Sequence, residues 1–105
     1  HVGAVLVGRF VLHLDTDFRF AAAGFHVPGW PLFFGPYYAL AVAGLGAHLG
    51  CAGYWILGAK HPKGRKIVLA LGVVLGAALG LSFVVSMAGL ITPVSIDEAY
   101  LATYR

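Results

Sequence analysis

The stretch Ile67–Thr92, IVLALGVVLGAALGLSFVVSMAGLIT, contains no charged side chain. A helix needs roughly 20 apolar residues to cross about 30 Å of hydrocarbon, so this segment is long enough to span a bilayer. Upstream, Pro36–Leu57 reads PYYALAVAGLGAHLGCAGYWIL, again uncharged and of spanning length. Between the two lies GAKHPKGRK, residues 58–66, where Lys60, Lys63, Arg65 and Lys66 surround a proline and two glycines. Such a segment reads as a short polar turn joining two antiparallel helices.

The whole chain shares this bias. Of its 105 residues, 60% are hydrophobic and 10% charged, with mean hydropathy +0.87. Average globular chains carry about 25% charge, so too few polar residues are present to coat a water-facing surface. That balance excludes a soluble enzyme and a disordered tail, and the single cysteine excludes a scaffold of internal disulfides. The formal charge of +3 is too small and too dispersed for a nucleic-acid groove. Fifteen glycines would be costly in water-soluble helices, but in lipid small residues let backbones approach closely. Gly72, Gly76 and Gly80 recur at i+4, and Gly46 and Gly50 make a similar pair, so both segments carry stripes suited to tight helix contact.

Outward from this pair, His1–Leu14 is apolar apart from Arg9 and the histidines. Fourteen helical residues reach only about 21 Å, so a first span with a missing beginning is expected. Asp15, Asp17 and Arg19 end it. Residues 15–35, with Gly24, Pro28, Gly29 and Pro31 among large aromatics, are expected to form an interfacial connection. Trp30, Phe33, Phe34, Tyr37 and Tyr38 have the character of an aromatic belt, and Pro36 suits the first turn of the next helix. Pro93, Ser95, Asp97 and Glu98 return the chain to water in a polar tail over 93–105. The expected fold is therefore all-α: one integral membrane domain of three transmembrane helices, about 1–14, 36–57 and 67–92, packed as an antiparallel bundle. Because short cytoplasmic loops are enriched in Lys and Arg, the 58–66 turn is expected on the cytoplasmic or matrix side.

His48 stands near the middle of an otherwise apolar helix, where an imidazole must find a partner or strand a polar group in hydrocarbon. Gly44 lies one turn before it, and Cys51 and Ala52 one turn after. The small residues leave room for something flat beside the ring. A haem edge is one candidate, since histidine is a standard axial ligand. A hydrogen bond to a neighbouring helix is the other. His13, four residues after Arg9 and so on the same helix face, is a second haem candidate or an interfacial histidine beside Asp15 and Asp17. Arg9 would cost about 2.5–3.5 kcal/mol within a span, which calls for an acid, a propionate, a quinone carbonyl or another subunit unless the side chain snorkels to an interface. Tyr54 and Trp55, with His61, cluster toward the basic turn as interface anchors or as a wall for a quinone headgroup. The chain holds no metal-ligand spacing, nucleophile and base pair, phosphate loop or acidic dyad.

With its second helix reading AHLGCAGYWILGAKH, its basic turn and its glycine-rich third helix, the chain resembles the cytochrome b membrane anchors of succinate dehydrogenase and fumarate reductase. That family carries an axial haem ligand in a pattern like His-x-x-x-Gly, and His48 matches the ligand position, with Ala52 where the glycine is expected. His1-Val2-Gly3 keeps a trace of the family's first-helix signature near the quinone site. The Arg9-to-Arg19 tract with His13 is similar to a ligand-bearing helix end of the dihaem version. The resemblance implies a haem b held by His48 and His13, and a quinone site near Arg9, Tyr54 and Trp55. It also implies other transmembrane subunits, and flavoprotein and iron–sulfur subunits that supply electrons at the basic turn. The membrane would be a bacterial cytoplasmic or mitochondrial inner membrane. From the residues alone, two further readings stay open: a structural accessory subunit without a cofactor, and a transporter fragment with Arg9 and His48 in an ion path.

Overall fold

The computed structural model describes residues 2–105, and it is 74% helical with no strand among the described residues. Helix α1 covers Val2–Phe10, and α2 covers Phe18–Ala22 and runs into a 3-10 turn at Ala23–Phe25. Two long helices follow, α3 at Pro31–Leu57 and α4 at Pro62–Met87. Helix α5, Glu98–Leu101, continues into a second 3-10 turn at Ala102–Tyr104. Chain contacts separate two compact units, Pro36–Val84 and a second unit built from residues 1–35 with 85–105. His1, the first residue of the trace signature, lies outside the described residues.

The unit Pro36–Val84 is a helical hairpin. Both α3 and α4 are long and apolar enough to cross a membrane. At 1.5 Å per residue their 27 and 26 residues extend roughly 40 Å each. Their apolar side chains are turned outward, as with Ile56 (84% exposed), Leu40 and Val74. A core helix of a water-soluble protein would bury such residues, whereas hydrocarbon solvates them.

Glycine sets how close the two helices come. A Cβ placed on Gly72 would stand 2.6 Å from the Gly46 carbonyl oxygen and from the Gly50 Cα. One on Gly76 would stand 2.8 Å from the Gly46 Cα, and one on Gly80 would meet the Ala39 carbonyl at 2.6 Å. The two stripes read from the sequence therefore face each other, backbone on backbone. In lipid, where apolar side chains gain nothing by leaving their surroundings, such close van der Waals contact is what holds helices together.

Both long helices begin five residues earlier than the spans expected at 36–57 and 67–92. Pro31 takes the first helical position of α3, the role expected of Pro36. Pro36 instead sits inside the helix, where it gives up only the hydrogen bond to the Leu32 carbonyl. Pro62 likewise opens α4, so Lys63, Arg65 and Lys66 belong to its first turns and the connecting turn shrinks to residues 58–61. Lys and Arg are good helix formers whose stems lie along apolar surface, so basic character alone did not mark a loop. Helix α4 stops at Met87 because Gly89 adopts φ +73. The N–H of Leu90 donates to the Val85 carbonyl at 3.1 Å and that of Gly89 to the Ser86 carbonyl at 3.1 Å. This paired pattern is a Schellman cap.

The other unit is stitched by rings and hydrogen bonds. Asp17 caps α2, its Oδ1 accepting from the N–H groups of Arg19 (2.9 Å) and Phe20 (3.3 Å). Phe20, Ala23 and Tyr100 form a small core on which Val5, Leu14, Ile96, Leu101 and Tyr104 pack. Gly8 of α1 lies buried against the Phe20 ring. Trp30 stacks on Phe34 and donates its indole N–H to the Tyr104 carbonyl at 2.9 Å. The Tyr104 hydroxyl donates to the Phe20 carbonyl at 3.4 Å, and His26 Nε2 lies 3.1 Å from the Met87 carbonyl. Arg105 pairs with Glu98. The 15–35 connection thus contains helical turns of its own, and Trp30, Phe33 and Phe34, expected in a belt, pack on one another, with Trp30 and Phe34 also against Tyr104.

Candidate functional site

His48 is the eighteenth residue of the 27 in α3, and it is exposed. At about 100° per residue it lies roughly 200° round the helix from both Gly46 and Gly50. The imidazole therefore points away from α4. It makes no hydrogen bond or ion pair with any described residue. The same outward face carries Gly44, Cys51, Ala52 and Trp55, all exposed. A Cβ on Gly44 would have nothing within 4 Å, so the surface beside His48 is flat and open. One polar group thus stands on a smooth apolar face two thirds of the way along α3.

The residues fit a haem in part. His48 can offer one axial nitrogen, and the small residues around it leave space for the edge of a macrocycle. A second imidazole is not supplied by the same face, because the other histidine of this unit, His61, comes after the end of α3. Among the described residues no group of three or more His, Cys, Asp or Glu side chains could hold a metal ion. That finding bears on multi-ligand sites and leaves one-histidine or two-histidine ligation untouched.

His13 belongs to the other unit and to no helix. Helix α1 ends at Phe10, and His13 takes φ +53, the left-handed region that Asn, Asp and His enter more readily than most residues. The expected helical face shared by Arg9 and His13 therefore does not form. The chain folds back there, with the Leu12 N–H donating to the Val7 carbonyl and the Leu14 N–H to the Gly8 carbonyl. Arg9 itself is exposed at the end of α1 with no partner among the described residues. Its place in the last turn suits the negative end of the helix dipole.

Tyr54 and Trp55 meet edge to face at the far end of α3, 5.8 Å between centroids. Trp55 is 78% exposed. Tyr54 is half-buried, because the Arg65 guanidinium lies over its ring, 4.7 Å from the centroid. That stack went unseen in the sequence, where Arg65 counted only as one charge of a turn. The signal available was its spacing, since a hairpin of four turn residues brings the last turn of α3 beside the first of α4. Comparisons with protein families, with curated proteins and with solved structures find nothing that this chain matches.

Proposed function

We propose that this protein is a membrane-anchor subunit of a respiratory oxidoreductase of the succinate:quinone type, in which His48 holds a haem b at a face shared with a partner chain. The observation that carries this reading is an exposed, unpartnered imidazole well inside an apolar, membrane-length helix. Intramembrane ionisable groups are expensive, and they persist where they serve a site. Haem would supply a one-electron carrier. His48 would ligate the iron through one ring nitrogen, and the other ring N–H would need an acceptor on the partner chain. His13 would serve a haem only if that ligand lay against the chain's other unit. A quinone headgroup arriving at the basic end of the hairpin would meet Trp55 and Tyr54, with Arg9 available to an anionic group elsewhere.

The reading places Lys60–Lys66 on the cytoplasmic or matrix side, toward flavoprotein and iron–sulfur subunits. It requires crossings by α3 and α4, and a three-span antiparallel bundle would add α1. A reduced-minus-oxidised spectrum of the complex, purified from membranes through a tag on this chain, is the direct test. A b-type band that disappears in His48→Ala while the chain remains in the membrane supports the proposal. No band, or a band indifferent to His48, overturns it.

A second reading, a structural accessory subunit without its own cofactor, is favoured by the lone imidazole on that face and by the glycine-packed interface. It expects His48→Ala to weaken co-purification with partner helices and to leave every optical band unchanged.

A further inference from the structure

We infer that the basic end of the hairpin is a binding site for the phosphate of an anionic phospholipid, seated on the Arg65 guanidinium where it lies over Tyr54. Charge balance is the first ground. Lys60, Lys63, Arg65 and Lys66 crowd into seven residues, and between Arg19 and Asp97 the chain has no acidic residue at all. The hairpin unit Pro36–Val84 therefore cannot neutralise its own cations, and the counter-charge comes from outside it.

The second ground is that one of these cations is held in place. Lys60, Lys63 and Lys66 are exposed, but Arg65 is half-buried with its guanidinium fixed over the Tyr54 ring at 4.7 Å. Its Nε is buried and finds no acceptor. Stacking on the ring satisfies the face of the guanidinium and leaves its terminal N–H groups for an acceptor at the edge. A planar cation held this way has lost its rotamer freedom in advance and matches the paired oxygens of a phosphate.

Depth decides between a lipid and a soluble acidic protein. The turn is only four residues long, so the cations do not project far beyond the helix ends. From Lys66 to Ser86 is about 30 Å along the helix at 1.5 Å per residue, the thickness of the hydrocarbon core. Arg65 then stands at the level of lipid headgroups. Trp55 and Ile56, 78% and 84% exposed, stand at the same end of the hairpin, in the last turn of α3. An indole and an aliphatic side chain at that level contact glycerol and acyl chain, which an acidic protein surface does not offer. The inference needs only that α3 and α4 cross the bilayer, and it holds whatever His48 binds.

The test is native mass spectrometry of the full chain released from nanodiscs of mixed phosphatidylglycerol and phosphatidylcholine. A juxtamembrane charge contributes about fivefold to association with an anionic surface, so Lys60→Gln should lower phosphatidylglycerol retention by about that factor. Arg65→Lys conserves charge but loses the planar fork and the stack, and it should lower retention by about tenfold if the site is built as described. Tyr54→Leu should act in the same direction, while Tyr54→Phe should retain lipid like the wild type. Millimolar inorganic phosphate should not displace the lipid. Equal retention of the two lipids by the wild type, or an Arg65→Lys variant that binds like the wild type, would overturn the inference. So would displacement by phosphate alone, or retention that appears only when an acidic partner protein is present. Circular dichroism of each variant separates loss of binding from loss of the hairpin.

Discussion

The two units of this chain solve the packing problem in different ways. In Pro36–Val84 the helices meet through glycine, and the backbone of α3 lies against the backbone of α4. In the other unit, rings and side chains reach across to carbonyls: Trp30 to Tyr104, Tyr104 to Phe20, His26 to Met87. The difference follows from what each segment has available. The stripe where α3 and α4 meet is glycine and has no side-chain donor, and Ser82 uses its hydroxyl on the Ala78 carbonyl of its own helix at 2.8 Å. Close approach is then the remaining source of contact energy. The short helices of the other unit leave carbonyls without helical partners, and aromatic side chains with polar tips satisfy them.

The largest expected effect breaks the hairpin and leaves the other unit alone. Gly76→Leu inserts a side chain where even a Cβ would be 2.8 Å from the Gly46 backbone, so neither helix can move a flexible group aside. Overpacking against backbone on both sides belongs at the upper end of the usual cost, about 3 kcal/mol. Gly44→Leu, on the open face, should change stability by less than about 0.5 kcal/mol. Denaturant titration in micelles, read by a label pair across the hairpin, compares the two. Equal destabilisation would show that glycine serves the helices individually and not their contact.

Trp30→Phe strikes the other unit. It keeps an aromatic ring beside Phe34 but leaves the Tyr104 carbonyl without its protein donor, a loss of about 1–1.5 kcal/mol. Hydrogen exchange should quicken in residues 98–104 and stay unchanged in 62–84. If both accelerate together, the two units do not unfold separately. Asp17→Ala is smaller, about 1 kcal/mol for a lost cap, with faster exchange expected at Arg19 and Phe20.

How much of this was legible in the sequence divides along the same line. The hairpin was readable because hydropathy over 20 residues and glycine at i+4 are regular signals, and a spanning helix requires little else. The starts of its two helices were misplaced by five residues, while the Leu57 end was placed correctly, because two prolines competed for the start of α3 and because a basic tract resembled a loop. The aromatic unit was not readable in detail. Trp30 and Tyr104 are far apart in sequence, no periodicity links them, and an aromatic belt has the same composition as a packed aromatic cluster. His48 could be singled out as a lone imidazole on an apolar helix. That it faces away from α4 depends on which stripe of α3 the glycines of α4 select. His13 was misread because a helix face was extended past Phe10, where the chain turns through a left-handed residue.

The smallest effect is one of pH, and it separates the units because the glycine contact between α3 and α4 involves no group that ionises. Tyr100 is buried in the small core, and its phenol is pushed above the ordinary 10.0, first by burial and then by the carboxylates of Asp17, Asp15 and Asp97, with Arg19 opposing. Tyr104, half-buried, is raised by burial alone. A raised folded value means that the unfolded chain gives up these protons first. Stability from the two phenols is therefore complete below pH 10 and is lost as pH climbs through their folded values. Ultraviolet titration of phenolate should show two tyrosines ionising late, and exchange in residues 98–104 should rise over the same alkaline range while that in 62–84 holds steady. Asp17→Asn removes one of the charges that raise Tyr100 without touching the burial of Tyr104, so it should advance the ionisation of Tyr100 alone. If the two phenols shift together in that variant, the Asp17 carboxylate acts through the fold of α2 and not through its charge.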